Sequence, residues 1–264
     1  MQLVLFRIGG FAVPTHNFFV GLGIAVAAVV FLREANSRRQ LRLETLVAVT
    51  GALVGGAVGM RLSGLLPHLD PSLNPTLIGA WEFGARSILG GLTGAYAGVL
   101  IAKKMIGYRV RTGDLFAPAV AIGMAIGRVG CLLTEAPGRP TSLPWGVHAP
   151  ASVPSCPGCL TGQAMHPSFA YEIAFQLAAF AALYWLKPRL ATPGELFTLY
   201  LAGYALFRFA VEFTRANETV WLDLTRPQWF LIPGVVLIGF RVARQYHRGV
   251  YDDLPRRARL EVAT

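Results

Sequence analysis

A chain of 264 residues with 54% hydrophobic and only 14% charged residues has too little polar surface to coat a soluble globule, and reads as an integral membrane protein. Its formal charge of +10 is divided into short clusters between apolar runs, with no aromatic-laced basic patch, which excludes a nucleic-acid binder. The same clusters suit a face resting on anionic lipid.

In chain order, apolar runs predict membrane-spanning helices at 18–32, 46–66, 87–102, 115–133, 168–186, 196–213 and 229–240. Several approach the ~20 residues that a spanning helix needs. The first has one arginine before it and no clean small-residue cleavage pattern after it, so it is read as a spanning helix rather than a removed leader. The expected fold is therefore an all-α integral membrane protein of seven transmembrane helices, forming a single domain over 1–264. Loops at 33–45, 103–114, 187–189 and 241–264 hold sixteen Lys and Arg, whereas the alternate loops hold only Arg7, Arg86, Arg139, Arg215 and Arg226. Basic loops resist translocation, so the N-terminus is expected outside and the C-terminus in the cytoplasm.

Small residues recur at helical spacing: Gly51, Gly55 and Gly59 in the second run, Gly90, Gly94 and Gly98 in the third, Gly123 and Gly127 in the fourth. Such stripes let helix backbones approach closely inside a bilayer, and close packing is the reading they support. The outward loop 134–167 contains Pro137, Pro140, Pro144, Pro150, Pro154, Pro157 and Pro167, a density that forbids a continuous helix and favours turns and extended segments.

Three arginines, Arg61, Arg128 and Arg208, fall inside the runs. An arginine at membrane depth is costly unless it faces a partner or water, and so marks a site. Arg128 stands between Gly127 and Gly130, where little side-chain bulk hinders a ligand. In the sixth run Tyr204, Arg208 and Glu212 are spaced by four, with Arg215 three further on, which predicts one helix stripe. Two guanidinium forks from different helices suit the paired oxygens of one phosphodiester, and an anionic lipid headgroup is the natural ligand. A structural Arg–Glu pair that fixes helix rotation is the competing reading for Glu212.

The fifth run opens with HPSFAYE, placing His166 before it, Tyr171 and Glu172 in its first turn, and Gln176 one turn deeper. Pro167 and Ser168 are equally ordinary helix-start punctuation, and Tyr171 suits a membrane interface. Cys131 lies one turn past Arg128, either as packing or as a reactive thiol. Cys156 and Cys159, in SCPGC, predict a disulfide or dithiol. With His148 and His166 they fall short of a convincing zinc ligand set, so no metal and no cofactor are expected.

The segments GRVGCLLTEAPGRPTSLPWGV, HPSFAYE and GELFTLYLAGYALFRFAVEFTR, in that order, resemble the bacterial prolipoprotein diacylglyceryl transferases, and the likeness extends more weakly over nearly the whole chain. The resemblance implies a seven-helix enzyme of the bacterial inner membrane, with loop 134–167 periplasmic. It implies transfer of the diacylglyceryl unit of phosphatidylglycerol to the lipobox cysteine thiol of a lipoprotein precursor, with glycerol phosphate released. Carried over by position, Arg128, Arg208 and Glu212 become the catalytic candidates. Arg128 and Arg208 bind the phosphate, while Tyr204 and Glu212 support Arg208. Gly130, Cys131, Arg139, His166, Tyr171 and Glu172 complete the expected substrate-binding set.

The chain departs from the family pattern at Leu89, where a histidine is usual, at Cys131, where an asparagine is usual, and at Phe18, where a tyrosine is usual. The stretch between Arg128 and Arg139 is one residue short. Glu212, Glu135 and His166 are the candidates to replace the missing proton acceptor. Other readings of the same residues are an anionic-lipid-binding relative without catalysis, another thiol as acceptor, and a small anion or lipid transporter. The last is weakened by the absence of internal repeats and broken helices.

Overall fold

The computed structural model describes residues 3–65, 87–148 and 162–252, most of them helical. The chain opens with an antiparallel hairpin of β1 (Val4–Ile8) and β2 (Phe11–Pro14), and its turn residues Gly9 and Gly10 both take positive φ, 53° and 86°. A two-residue hairpin turn needs two left-handed positions in succession, which glycine supplies without strain. Helices follow as α1 (Thr15–Ser37), α2 (Leu43–Leu65), α3 (Ile88–Met105), α4 (Gly113–Thr134), α5 (Ser168–Leu186), α6 (Glu195–Val211) and α7 (Arg226–His247). Strand β3 (Val147–His148) pairs antiparallel with β4 (Ala164–Met165), and β5 (Thr219–Trp221) forms a short hairpin with β6 (Leu224–Thr225).

Each predicted apolar run falls on one of these helices. Among the described residues, five stretches are long and apolar enough to cross a membrane: Thr15–Ser37, Leu43–Ser63, Gly113–Thr134, Ser168–Leu186 and Glu195–Thr214. The other two are less apolar, because Lys103 and Lys104 close α3 while Arg241 and Arg244 lie in the last turns of α7. Cys156, Cys159, Arg86 and the prolines at 150, 154 and 157 lie outside the described residues, so the expected SCPGC disulfide does too.

Contacts group the chain into two units, Ala35–Arg111 and the remainder. In the first, α2 and α3 pack through the predicted glycine stripes. A Cβ added at Gly55 would strike the carbonyl of Gly94 and lie 2.8 Å from the Cα of Gly98, while one at Gly51 would lie 2.6 Å from the carbonyl of Gly98. Backbone contact at this range needs glycine on both helices, and it gains dispersion that no side chain could supply there. Leu89, half-buried, lies in the first turn of α3 in this unit.

In the second unit α4 packs against α5 and α6 around Ala117, Ala121, Leu183, Leu196 and Tyr200. The carboxylate of Asp114 accepts hydrogen bonds from the backbone N–H groups of Gly194, 2.7 Å, and Phe197, 3.1 Å, and so caps α6 from a neighbouring helix. Orphan donors at a helix start are thereby satisfied and a negative charge meets the positive end of the dipole. Buried Glu195 holds α7 in place through Arg241, 2.5 Å, Gln245, 2.8 Å, and Tyr251, 2.9 Å. Helix α1 approaches α4 at two glycines. A Cβ on Gly23 would lie 2.6 Å from the carbonyl of Gly123, and one on Gly130 would lie 3.2 Å from the backbone of His16.

The predicted four-residue stripe on α6 is corrected at its end. Helix α6 stops at Val211, Glu212–Thr214 form a 3-10 turn, and Arg215 is extended, φ −89° and ψ 148°. Arg215 therefore leaves the axis that carries Tyr204 and Arg208 and reaches towards α5.

Candidate active site

Three helix ends meet at one side of the second unit: the C-terminal turns of α4 and α6 and the N-terminal turn of α5. Arg128 on α4 is buried and ion-paired with Oε2 of Glu172 on α5, whose side chain is 0% exposed. The other oxygen of Glu172 accepts from Nη1 of Arg215 at 3.1 Å. One carboxylate thus bridges two guanidiniums from opposite sides of the site. The ring of Phe169 lies beneath both, 5.6 Å from Arg128 and 4.6 Å from Arg215, so each cation also meets a π face.

The loop after α4 is what delivers Arg215. Arg139 donates from its backbone N–H to the carbonyl of Thr214, 2.8 Å, and from Nε to the carbonyl of Arg215, 2.9 Å. Gly138 donates to the carbonyl of His166, 2.8 Å, and His166 in turn donates to that of Arg139, 2.8 Å. The Ser168 hydroxyl lies 2.9 Å from that of Thr214. Any side chain at Gly138 would collide with the Thr214 carbonyl and the Ser168 hydroxyl. The Gly-Arg pair therefore clips the start of α5 to the end of α6, and Arg139 serves here through backbone geometry as well as charge.

Arg208 pairs with Glu212, as its spacing predicts. Glu212 is fully buried and also accepts from Asn217 Nδ2, 2.6 Å, and Thr225 Oγ1, 2.9 Å. Thr225 caps α7 in a reciprocal arrangement with Gln228, whose Oε1 accepts from the Thr225 N–H at 2.8 Å. Only one guanidinium nitrogen of Arg208 is taken up by these hydrogen bonds. Between the two pairs stands Tyr204, 2% exposed, with Glu172, Arg128 and Arg208 as its charged neighbours. Its buried hydroxyl makes no hydrogen bond of normal geometry. Among the described residues the guanidiniums of Arg128, Arg208 and Arg215 pair with only two carboxylates here, with the Arg139 guanidinium close by, so positive charge is in excess. Burial and the nearby Arg208 both lower the proton affinity of Arg215, so an incoming anion relieves that repulsion.

The remaining expected residues form two flanking clusters. Tyr171 accepts from Trp145 Nε1 at 2.8 Å, and its hydroxyl lies 3.2 Å from His166 Nδ1. Trp145 is 57% exposed, so this cluster faces outward. On the opposite flank Cys131 receives Arg128 Nη1 at 3.7 Å, and His16 Nδ1 lies 3.9 Å from both Cys131 Sγ and Glu135 Oε1. Phe18 packs edge-on against Phe6 and Phe19. Gln176 accepts from the Tyr200 hydroxyl at 2.9 Å, deeper in the bundle.

Sequence reasoning missed His16, Asn217, Thr225 and Gln228. His16 offered one signal, a polar residue at the threshold of an apolar run. The other three are polar side chains in a connection whose hairpin and cap are not visible as periodicity.

The sequence profile of the prolipoprotein diacylglyceryl transferase family matches residues 3–243. A phosphatidylglycerol–prolipoprotein diacylglyceryl transferase of Bordetella bronchiseptica is 31% identical over 249 residues, covering 88% of this chain and 91% of the relative. Proteins of the same name from Dehalococcoides mccartyi and Leifsonia xyli are each 32% identical. They cover 90% and 91% of this chain and 90% and 77% of their own lengths.

Proposed function

Because this chain belongs to the prolipoprotein diacylglyceryl transferase family, we propose that the cluster of Arg128, Arg208, Arg215, Glu172, Glu212 and Tyr204 is its transfer site. The activity is that of a membrane enzyme moving the diacylglyceryl unit of phosphatidylglycerol to the cysteine thiol of a prolipoprotein. The observation that carries the site assignment is the arrangement of two buried arginines, Arg128 and Arg208, and the half-buried Arg215 on two buried carboxylates. Its excess of positive charge suits the negative charge of a phosphodiester.

In the reaction the acceptor thiol gives up its proton to solvent, its sulfur attacks the glycerol carbon, and the bond from that carbon to the phosphate oxygen breaks. The electron pair remains on the leaving glycerol phosphate, which becomes a dianion. Charge on the phosphate therefore grows towards the transition state, so arginines fixed around it stabilise that state more than the bound lipid. Glu172 and Glu212 hold the forks in place before substrate arrives, and the Tyr204 hydroxyl offers a donor to a phosphate oxygen. With three donors already on its carboxylate, Glu212 acts as a positioning anion rather than as a proton acceptor.

The site lies at the end of the second unit where α1, α5 and α7 begin and α4 and α6 finish. The opposite ends carry Lys187, Arg189, Arg241 and Arg244. The distribution of basic residues supports a cytoplasmic opposite end, and with it a site at the periplasmic face of a bacterial inner membrane. Transfer from labelled phosphatidylglycerol to a lipobox peptide by purified protein in mixed micelles tests the assignment, with Arg128→Ala as control. Arg128-dependent product is expected. Retained lipid binding without any transfer would instead indicate a lipid-binding relative.

A further inference from the structure

We propose that His16, Cys131 and Glu135 form a site for one divalent transition metal of the zinc class, open at a fourth position to an incoming thiol. The three donor atoms lie within 4.8 Å of one another, with His16 Nδ1 3.9 Å from both of the others. An imidazole nitrogen, a thiol sulfur and a carboxylate oxygen are a donor set that zinc accepts and that magnesium or calcium does not. Around tetrahedral zinc, with bonds of about 2.3 Å to sulfur and roughly 2.0–2.2 Å to nitrogen and oxygen, ligand atoms stand ~3.3–3.6 Å apart. Closing from separations of 3.9 Å, and at most 4.8 Å, needs side-chain rotations for which His16 and Glu135 have the freedom, their side chains being 43% and 44% exposed.

The backbone is already placed for this. Gly130 lets α4 reach the backbone of His16, and the Glu135 N–H donates to the carbonyl of Cys131 at 2.8 Å, closing the turn that stacks the two ligands. One thiolate and one carboxylate neutralise a divalent cation, so a loaded site adds no net charge beside Arg128. Arg128 Nη1, 3.7 Å from Cys131 Sγ, supplies an outer hydrogen bond to the sulfur. Three protein ligands leave one coordination position open, the arrangement of catalytic rather than structural zinc.

The use of the site rests on the transferase reading; its existence does not. An acceptor thiol entering the fourth position gives its proton to water and is held as thiolate. Its sulfur then forms the bond to the glycerol carbon as the carbon–oxygen bond to phosphate breaks, yielding a thioether and glycerol phosphate. A free thiol near pKa 8.5 is only a few per cent ionised at neutral pH. Of the three proton acceptors expected from the sequence, Glu212 is taken up by three donors, His166 faces Tyr171, and Glu135 belongs to the ligand set itself. A metal-held thiolate supplies the activation in their place.

The test uses the full chain in detergent micelles with Cys156→Ser and Cys159→Ser, which leaves Cys131 as the only cysteine of three. Cobalt(II) titration should give a thiolate charge-transfer band with the visible bands of four-coordinate cobalt, and elemental analysis should find one zinc per chain. Adding Cys131→Ser or His16→Ala should weaken binding by at least about tenfold. Absence of the thiolate band, or binding indifferent to both substitutions, overturns the site. Transfer should be at least about tenfold faster in zinc-loaded than in metal-free protein, since a positioned activating group contributes that much or more. Equal rates overturn the thiol-holding role. Transfer by protein that binds no metal would leave the transferase reading standing without the metal site. One bound zinc with no transfer under any loading would do the reverse.

Discussion

Glu172 on α5 holds Arg128 of α4 with one carboxylate oxygen and Arg215, beyond α6, with the other. Neither guanidinium is neutralised by any other described carboxylate in an ion pair, so the position of both depends on one buried anion. Replacing Glu172 with Gln keeps the shape and removes the charge. Breaking a buried pair from one side typically costs about 3–5 kcal/mol, because the partner charge is stranded. Glu172→Gln should therefore lower the thermal midpoint in detergent and reduce transfer together. Wild-type values for both would mean that the bridge holds nothing in place.

The phosphate-clamp reading makes a sharper demand on Arg128 and Arg208. Lysine preserves the charge but loses the planar fork that meets two phosphate oxygens and, at Arg208, keeps Glu212 engaged. Each Arg→Lys variant should lose about 100- to 1000-fold in kcat/KM, the scale of removing one preorganised donor to a developing anion. Phosphatidylglycerol titrations with the purified variants separate kcat from KM, and the larger loss is expected in kcat. Full activity in both lysine variants would dispose of the clamp.

What was legible beforehand was whatever repeats at helical spacing. Among the described residues the apolar runs marked each of the seven α-helices, and the glycine stripes of α2 and α3 marked the face on which they meet. The Arg208–Glu212 pair was equally legible because both residues lie within one helix turn of each other. Arg215 was misassigned to the α6 stripe because the 3-10 turn at Glu212–Thr214 leaves no mark in a charge pattern. Its partner Glu172 lies 43 residues earlier, and such a pairing follows only once the Gly138–Arg139 backbone clips two helix ends together. His16 went unread for a similar reason, since its neighbours Cys131 and Glu135 reach it only through the close approach at Gly130.

The glycine contact between α2 and α3 can be tested apart from chemistry. At Gly94 a Cβ would overlap the carbonyl of Gly55 and sit 2.8 Å from the Cα of Gly59, so Gly94→Val must push the two backbones apart. Overpacking of this kind costs typically 1–3 kcal/mol, roughly the worth of the close contact itself. Lower thermal stability is expected, while Gly127→Ala, where a Cβ meets nothing within 4 Å, should be neutral in stability. Equal stability of Gly94→Val and wild type would show that the stripes do not carry the packing.

Tyr204 separates a structural role from a functional one. A buried hydroxyl that lacks a well-formed hydrogen bond costs up to about 1–3 kcal/mol, and that of Tyr204 lies between two arginines and a carboxylate with Arg128 its nearest donor and no bond of normal geometry. If the hydroxyl exists only to fill space, Tyr204→Phe should be as active as wild type and at least as stable. If it donates to the phosphate when lipid is bound, the same change should leave the free protein equally or more stable yet slow transfer by about tenfold, the value of one hydrogen bond to a charged group. Thermal unfolding without lipid, set beside single-turnover transfer rates, distinguishes the two. The expected result is a gain or no change in the first and a loss in the second. A loss in both would mean that the hydroxyl already supports the fold in the lipid-free protein through its neighbour Arg128, and has no separate task at the phosphate.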